Sequence, residues 1–233
     1  MQVKLTPRLE KIASLVENHS RVADIGTDHG YIPLYLLQNR ISSFAIASDV
    51  NKKPLESAEA NIKIYGYGGK IETRLGGGLA TLRPGEVDTI IIAGMGGLLI
   101  SDILEEAQDI VESTKTFILQ PMQAQEELRR YLVKNGFCIK LDQLVKEDHR
   151  IYEIIVAEKG TQTVEKDIFY TVGFHLKSNP LPLAEEFIQR KMMIYEKIMN
   201  DIKGLTSDGA KEKYGMAHDM FNELREVMAW LKE

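Results

Sequence analysis

Cys138 is the only cysteine in the 233 residues, so no disulfide can form within the chain. Its setting between Phe137 and Ile139 reads as a small buried hydrophobe rather than a nucleophile. Apolar runs are short: none approaches the length of about eighteen residues that a membrane-spanning helix needs. The opening Met1-Gln2-Val3-Lys4-Leu5-Thr6-Pro7 lacks the apolar core of a signal peptide. A cytoplasmic location away from any membrane is therefore expected, and no metal centre is expected. Positive charge is not in excess either. The 29 Lys and Arg face 34 Asp and Glu, a net charge of −5, so nucleic acid would have to be held by a local patch rather than by a long-range field. What remains, 44% hydrophobic and 27% charged, suits one α/β domain with a small appendage.

The stretch Val22-Ala23-Asp24-Ile25-Gly26-Thr27-Asp28-His29-Gly30-Tyr31-Ile32-Pro33 runs from an apolar strand through an acid and a glycine-spaced turn into a helix start. Small residues there let a ligand approach the backbone, and a helix N-terminus offers free N–H groups to a carboxylate. Asp49 ends the next strand, Ala45-Ile46-Ala47-Ser48-Asp49, where a ribose diol would be gripped, with Val50 beside it. A dinucleotide fingerprint is missing. Asp28 stands where the middle glycine of Gly-x-Gly-x-x-Gly would admit a pyrophosphate, and its charge would repel one. S-adenosylmethionine (SAM), which has a sulfonium and no phosphate, fits that loop better. A competing reading has Asp28 simply capping the next helix.

Short apolar runs at 21–25, 44–49, 71–75, 87–93 and 116–120 alternate with amphipathic segments, which predicts a parallel sheet with helices on both faces. Two further strands, 137–144 and 151–157, are separated by Val145-Lys146-Glu147-Asp148-His149-Arg150, too short for a crossover, and must pair antiparallel. That is the sheet of Rossmann-like SAM-dependent methyltransferases. Ahead of it, Thr6 and Pro7 open a helix whose face carries Leu9, Ile12, Ala13 and Val16, expected over the sheet's edge or the pocket mouth. After Gly160, Ile188, Met192, Tyr195, Met199 and Ile202 form one heptad seam, and Tyr214, Ala217, Phe221, Leu224, Met228 and Leu231 form another. They predict an antiparallel coiled-coil hairpin, hence a SAM-binding domain over 1–160 and a helical domain over 161–233. Ten Lys and Arg against twelve Asp and Glu leave that appendage slightly acidic, although Arg190, Lys191, Lys197, Lys203, Lys211 and Lys213 could gather on one side.

The fourth strand ends in Ala93-Gly94-Met95-Gly96-Gly97, where this architecture presents substrate to the cofactor. The Asn/Asp/Ser-Pro-Pro-aromatic tetrad of exocyclic-amine methyltransferases is absent from that place, and a flat base against bare backbone is the alternative. Gly76-Gly77-Gly78 follows the third strand, beside the expected adenine of SAM, and Gln120-Pro121-Met122 ends the fifth beside the substrate.

These residues together resemble the bacterial tRNA adenine-N1 methyltransferases that act at position 22 of tRNA. The resemblance rests on Leu5 with Arg8-Leu9, on the loop from Ala23 to Pro33, on Gly94-Met95-Gly96-Gly97, on Gln120-Pro121, and on Glu147-Asp148 leading to Tyr152-Glu153. It spans essentially the whole chain and implies SAM as cofactor and tRNA as partner. It implies a cofactor site of Asp24, Gly26, Thr27, Gly30, Asp49, Val50, Gly76, Gly77, Gly78, Ala93, Gly94 and Met95, and a substrate site of Arg8, Tyr31, Gly96, Gly97, Gln120 and Pro121. Asp28 is the expected base at the adenine amine, with His29 as relay or orienting group; Tyr31 and Met95 are expected to pack on the base. Two rival readings stand beside it: a methyltransferase for a small-molecule or protein acceptor, and a non-catalytic SAM-binding adaptor.

Overall fold

In the computed structural model, which describes residues 2–205 and 207–233, the chain divides into two compact units, one ending at Thr163 and one spanning Val164–Glu233. The first opens with helix α1 (Pro7–Ser14) and strand β1 (Ser20–Ile25), then α2 (Tyr31–Gln38), β2 (Ser42–Asp49), α3 (Lys52–Tyr65) and β3 (Ile71–Leu75). It continues with β4 (Thr89–Met95), α4 (Gly97–Glu105), α5 (Gln108–Ser113), β5 (Thr116–Pro121) and α6 (Gln125–Lys134), and closes with β6 (Phe137–Glu147) and β7 (Arg150–Lys159).

The seven strands form one sheet in the order β3-β2-β1-β4-β5-β7-β6. The first five are parallel, and β7 inserts antiparallel between β5 and β6. Ile90, Ile91 and Ile92 are all fully buried, as a strand covered on both faces requires. Ile12, Ala13 and Val16 share one apolar layer with Val22, Ile91 and Ile118 of the sheet and with Ile32 and Leu36 of α2, and α1 lies against the edge strand β6, as the sequence predicts. Ala45, Ala47 and Ile71 continue that layer against Leu34, Leu37, Ala58 and Ile62 of α2 and α3. Side chains alternate along a strand, so Ile90 and Ile92 point to the opposite face.

The β6–β7 hairpin is longer than the sequence pattern indicates. Glu147 pairs with Arg150, so only Asp148 and His149 turn the chain, with Asp148 at φ 53°. Val145 and the polar Lys146, Glu147 and Arg150 read as part of a link but belong to strands, because this end of the hairpin is only partly buried and admits polar side chains. The fold is thus α/β: a Rossmann-like sheet with an antiparallel last hairpin. No described helix is long and apolar enough to cross a membrane.

The second unit holds the short helix α7 (Ile168–Val172) and the long pair α8 (Leu181–Ile202) and α9 (Asp208–Trp230). Lys232, just past the end of α9, reaches Glu185 at the start of α8 across 3.3 Å, so the pair is antiparallel. Ala184, Phe187 and Ile188 face a seam with Ala217, Leu224, Val227 and Leu231, all buried. Val227 rather than Met228 is the better buried of its neighbours, and Tyr214 is exposed, so the seam loosens toward the helix tips. Ser207 caps α9 by accepting from the Ala210 N–H.

Candidate functional site

β1 pairs with both β2 and β4, so the chain runs in opposite directions away from it and leaves a crevice at the carboxyl ends of β1 and β4. The loop after β1 turns into this crevice through three left-handed residues, Gly26 (φ 74°), His29 (φ 59°) and Gly30 (φ 68°). It is tied to the end of β2: the Gly26 and Thr27 N–H groups both donate to the Ser48 carbonyl, at 2.8 and 2.9 Å. Asp24 lies beneath the loop, 5% exposed, accepting from the Thr27 hydroxyl at 2.6 Å. Burial pushes the Asp24 carboxyl up to about 6; the Thr27 bond opposes this, and the charges of Asp28 and Asp49 add to it.

Asp28 does not cap α2. The N-cap residue is Gly30, with no side-chain cap bond, and the Asp28 carboxylate instead meets His29 Nε2 at 3.2 Å. Two consecutive left-handed residues, His29 and Gly30, set the helix start beyond the reach of the Asp28 side chain. The His29 ring stacks on Tyr31, centroids 5.5 Å apart, and its carbonyl accepts from Asn61 of α3.

At the end of β2, the Asp49 carboxylate accepts from the Asn51 N–H at 2.6 Å, and its carbonyl accepts from the Gly76 N–H, which brings the third-strand turn beside it. Val50 and Leu75 stand exposed on these adjoining turns. Gly78 (φ 53°) opens a short 3-10 turn packed on Ile103.

At the end of β4, Gly94 adopts φ 79° and the ladder with β5 shifts register between Ala93 and Met95. The Met95 side chain lies on Gly26 so closely that a Cβ there would sit 2.2 Å from its terminal methyl. Met95 therefore packs on the loop after β1 rather than standing free to meet a base. Gly97 has a packing reason too: a Cβ on it would run into the Ala124 carbonyl at 2.1 Å, and its N–H donates to the Gln123 carbonyl.

Arg8 of α1 reaches over the crevice from the other side. Its Nη1 donates to Gln120 Oε1 at 2.6 Å, its guanidinium lies 5.3 Å from the Tyr152 ring centroid, and its backbone N–H donates to Glu147 Oε2 at 2.9 Å. Burial alone would raise the Glu147 carboxyl. The Arg8 N–H, the Thr6 side chain and the Arg8 charge outweigh burial and hold it below the ordinary range. Thr6 accordingly spends its hydroxyl on Glu147 and does not cap α1.

The result is one pocket of about 340 Å³. Of the residues expected from sequence, Arg8, Asp24, Gly26, Asp28, Tyr31, Ala93 and Gly94 line it; Leu9, Ile32 and Met122 complete the wall. Thr27, Met95 and Gln120 stand behind the wall through the contacts above, and Pro121 accepts from the Gln120 amide. Asp49, Val50 and Gly76 stand at the neighbouring strand ends rather than in the wall, and Gly77 lines a separate hollow with Leu79 and Ile103. A larger cavity of about 460 Å³ in the second unit is walled by Glu165, Asp167, Glu223 and Glu226 with Lys166 as the cation among them, a net negative lining that suits neither a carboxylate nor a phosphate.

The crevice fits SAM in its chemistry: a buried acid for an ammonium, loop glycines where the cofactor must pass, and a second acid at the β2 end for a ribose. A methyltransferase-domain family profile matches residues 5–155. A Bacillus subtilis protein named tRNA (adenine(22)-N(1))-methyltransferase is 32% identical, over 97% of this chain and 98% of its own length. Among solved structures, a putative tRNA (m1A22) methyltransferase from Streptococcus pneumoniae in complex with SAM is 31% identical, with a TM-score of 0.85 over 97% of this chain and all of that one. A Mycoplasma capricolum relative solved with S-adenosylhomocysteine is 27% identical, with a TM-score of 0.82 over 97% and 98% of the two chains.

Proposed function

The chain belongs to the family of SAM-dependent tRNA adenine-N1 methyltransferases, and on that footing we propose that it methylates N1 of the adenine at position 22 of bacterial tRNA. The observation that carries this reading is the convergence of Asp24, Gly26, Asp28, Gly94 and Arg8 on one pocket at the carboxyl ends of β1 and β4. When bound, SAM supplies an electrophilic methyl group. Asp24 and the Gly26–Gly30 loop hold its amino-acid end and Asp49 its ribose.

The adenine N1 lone pair is already nucleophilic, so no base has to activate it. Alignment then dominates the barrier, and the protein supplies it by holding the ring. Positive charge develops on the base as the bond forms. Asp28, 84% exposed and facing the pocket, accepts from the exocyclic amine, offsets that charge and takes its proton, a role worth roughly 10² to 10⁴ in rate for a positioned base. His29, held by Tyr31 stacking, fixes the Asp28 carboxylate. The target base is turned out of its stack to reach the pocket. The test is incubation with unmodified bacterial tRNA and labelled SAM followed by nucleoside analysis. Label in 1-methyladenosine is expected; label confined to a protein or small-molecule acceptor would replace this function.

A further inference from the structure

We propose that Arg8 is the oxyanion subsite of this pocket, receiving through its guanidinium either the carboxylate of SAM or a phosphodiester of the bound tRNA, and that Gln120 is its positioning residue; this rests on the function proposed above.

Gln120 is fully buried and both ends of its amide are committed, Oε1 to Arg8 and Nε2 to the Pro121 carbonyl. With its second N–H turned to the Met122 sulfur and the whole side chain buried, it presents no donor to a base. Its neutral oxygen orients the guanidinium without cancelling the charge. The Glu147 carboxylate, which feels the Arg8 charge, is spent on the Arg8 backbone N–H and on Thr6. Among the described residues Arg8 forms no ion pair, and its Nε is buried with no hydrogen-bond partner. A fixed cation with a desolvated N–H is costly unless an anion meets it.

The other charged groups lining the pocket, Asp24 and Asp28, are acids suited to the ammonium of the cofactor and to the positive charge that develops on the base. That leaves Arg8 as the cation of the lining, and a planar guanidinium matches a carboxylate or a phosphate in geometry. Tyr152 covers part of the guanidinium and keeps it extended toward Gly94.

The experiment compares wild type, Arg8→Gln and Gln120→Glu in two titrations: SAM against its decarboxylated form, and tRNA binding across a salt series. If the anion is the cofactor carboxylate, wild type prefers SAM by at least about tenfold and both variants lose that preference, with the tRNA salt slope unchanged. If it is a phosphate, SAM affinity stays put, tRNA binding weakens, and the log–log salt slope flattens by roughly 0.7 to 0.9. Gln120→Glu keeps Arg8 and the local packing while supplying an internal counter-charge, so it carries the test where Arg8→Gln fails to fold. Wild-type behaviour of both folded variants in both titrations would overturn the proposal. A wild-type protein that binds SAM and methylates no tRNA would overturn the proposed function instead, and the cofactor titration would still read Arg8.

Discussion

The Thr27 hydroxyl donates to Asp24 Oδ2 across 2.6 Å beneath the cofactor loop, and it does not fully repay the burial of that carboxylate, whose pKa stands at about 6 against 3.8 for a free aspartate. The folded state thus binds the Asp24 proton more tightly than the unfolded state. Its contribution to stability is fully present below about pH 4 and is lost as pH rises through about 6, a cost on the order of 3 kcal/mol at neutral pH. Asp24→Asn removes that cost while keeping an acceptor for Thr27. We expect the variant to melt above wild type at pH 8, with the gap closing toward pH 4. SAM affinity runs the other way: in wild type it weakens as pH falls below 6 and the acid that meets the ammonium is neutralised, and in the variant it is weak throughout. Melting curves and calorimetry over pH 4–8 check both; a pH-independent gap would remove Asp24 as the titrating group.

Asp49→Ala is expected to weaken SAM binding by roughly ten- to hundredfold, the value of a hydrogen bond to a charged group. It also breaks the 2.6 Å bond to the Asn51 N–H. Asp49→Asn separates the two effects, because it retains that backbone contact while losing the charge. Calorimetric titration of both variants measures this, and an unchanged dissociation constant in both would take Asp49 out of the cofactor site.

Asp28→Asn should keep most SAM affinity and lower single-turnover methylation of tRNA by at least about tenfold, since an amide neither offsets the developing charge nor accepts a proton. Because Gly30 is the N-cap of α2, no loss of helix stability accompanies it. Rapid-quench turnover together with melting temperature checks the pair; turnover near wild type would leave Asp28 without a catalytic role.

The parts of the site written in local order were legible from the sequence. Asp24, Gly26 and Gly30 fall on one loop, and the turns after β2, β3 and β4 come together because parallel strands end on the same side. What decided Asp28 was a pair of left-handed backbone angles at 29 and 30, which the residue types alone do not fix: histidine tolerates that region but does not demand it. The Arg8 clamp joins partners 112 and 139 residues apart in sequence. No spacing rule reaches that far, and only the resemblance placed Arg8 near substrate. Gly97 carried the right residue type, and the Ala124 carbonyl supplies a packing reason for it.

A second long-range feature escaped the sequence altogether. Arg129 of α6 is 1% exposed, donating through Nε to Asp142 of β6 at 2.9 Å and through Nη2 to Glu153 of β7 at 2.8 Å. Burial would lower its pKa, but the two carboxylates hold it firmly charged. Arg129→Met leaves two buried acids without their cation and is expected to cost roughly 3 to 5 kcal/mol. Urea unfolding measures this. The loss should shrink in the background of Asp142→Asn with Glu153→Gln, which removes the stranded charges, and a loss of the same size there would assign the cost to packing.

The helical pair is the element whose tie to tRNA depends most on the family. Several of its cations already have partners: Arg190 reaches Glu186 at 2.6 Å, Lys191 lies over the Phe187 ring, and Lys211 faces Asp208 at 3.8 Å. Lys197 of α8 and Lys213 of α9 are exposed and are the better probes. Lys197→Glu with Lys213→Glu should leave SAM affinity unchanged, because every residue assigned to the cofactor lies in the first unit. If both side chains neutralise phosphates, tRNA affinity falls and the log–log salt slope flattens by roughly 0.7 to 0.9 for each. Methylation at saturating tRNA should then recover, since the chemistry is untouched and only docking is weakened. An unchanged slope and unchanged affinity would mean that tRNA docks elsewhere and that these exposed lysines only keep the helical pair solvated.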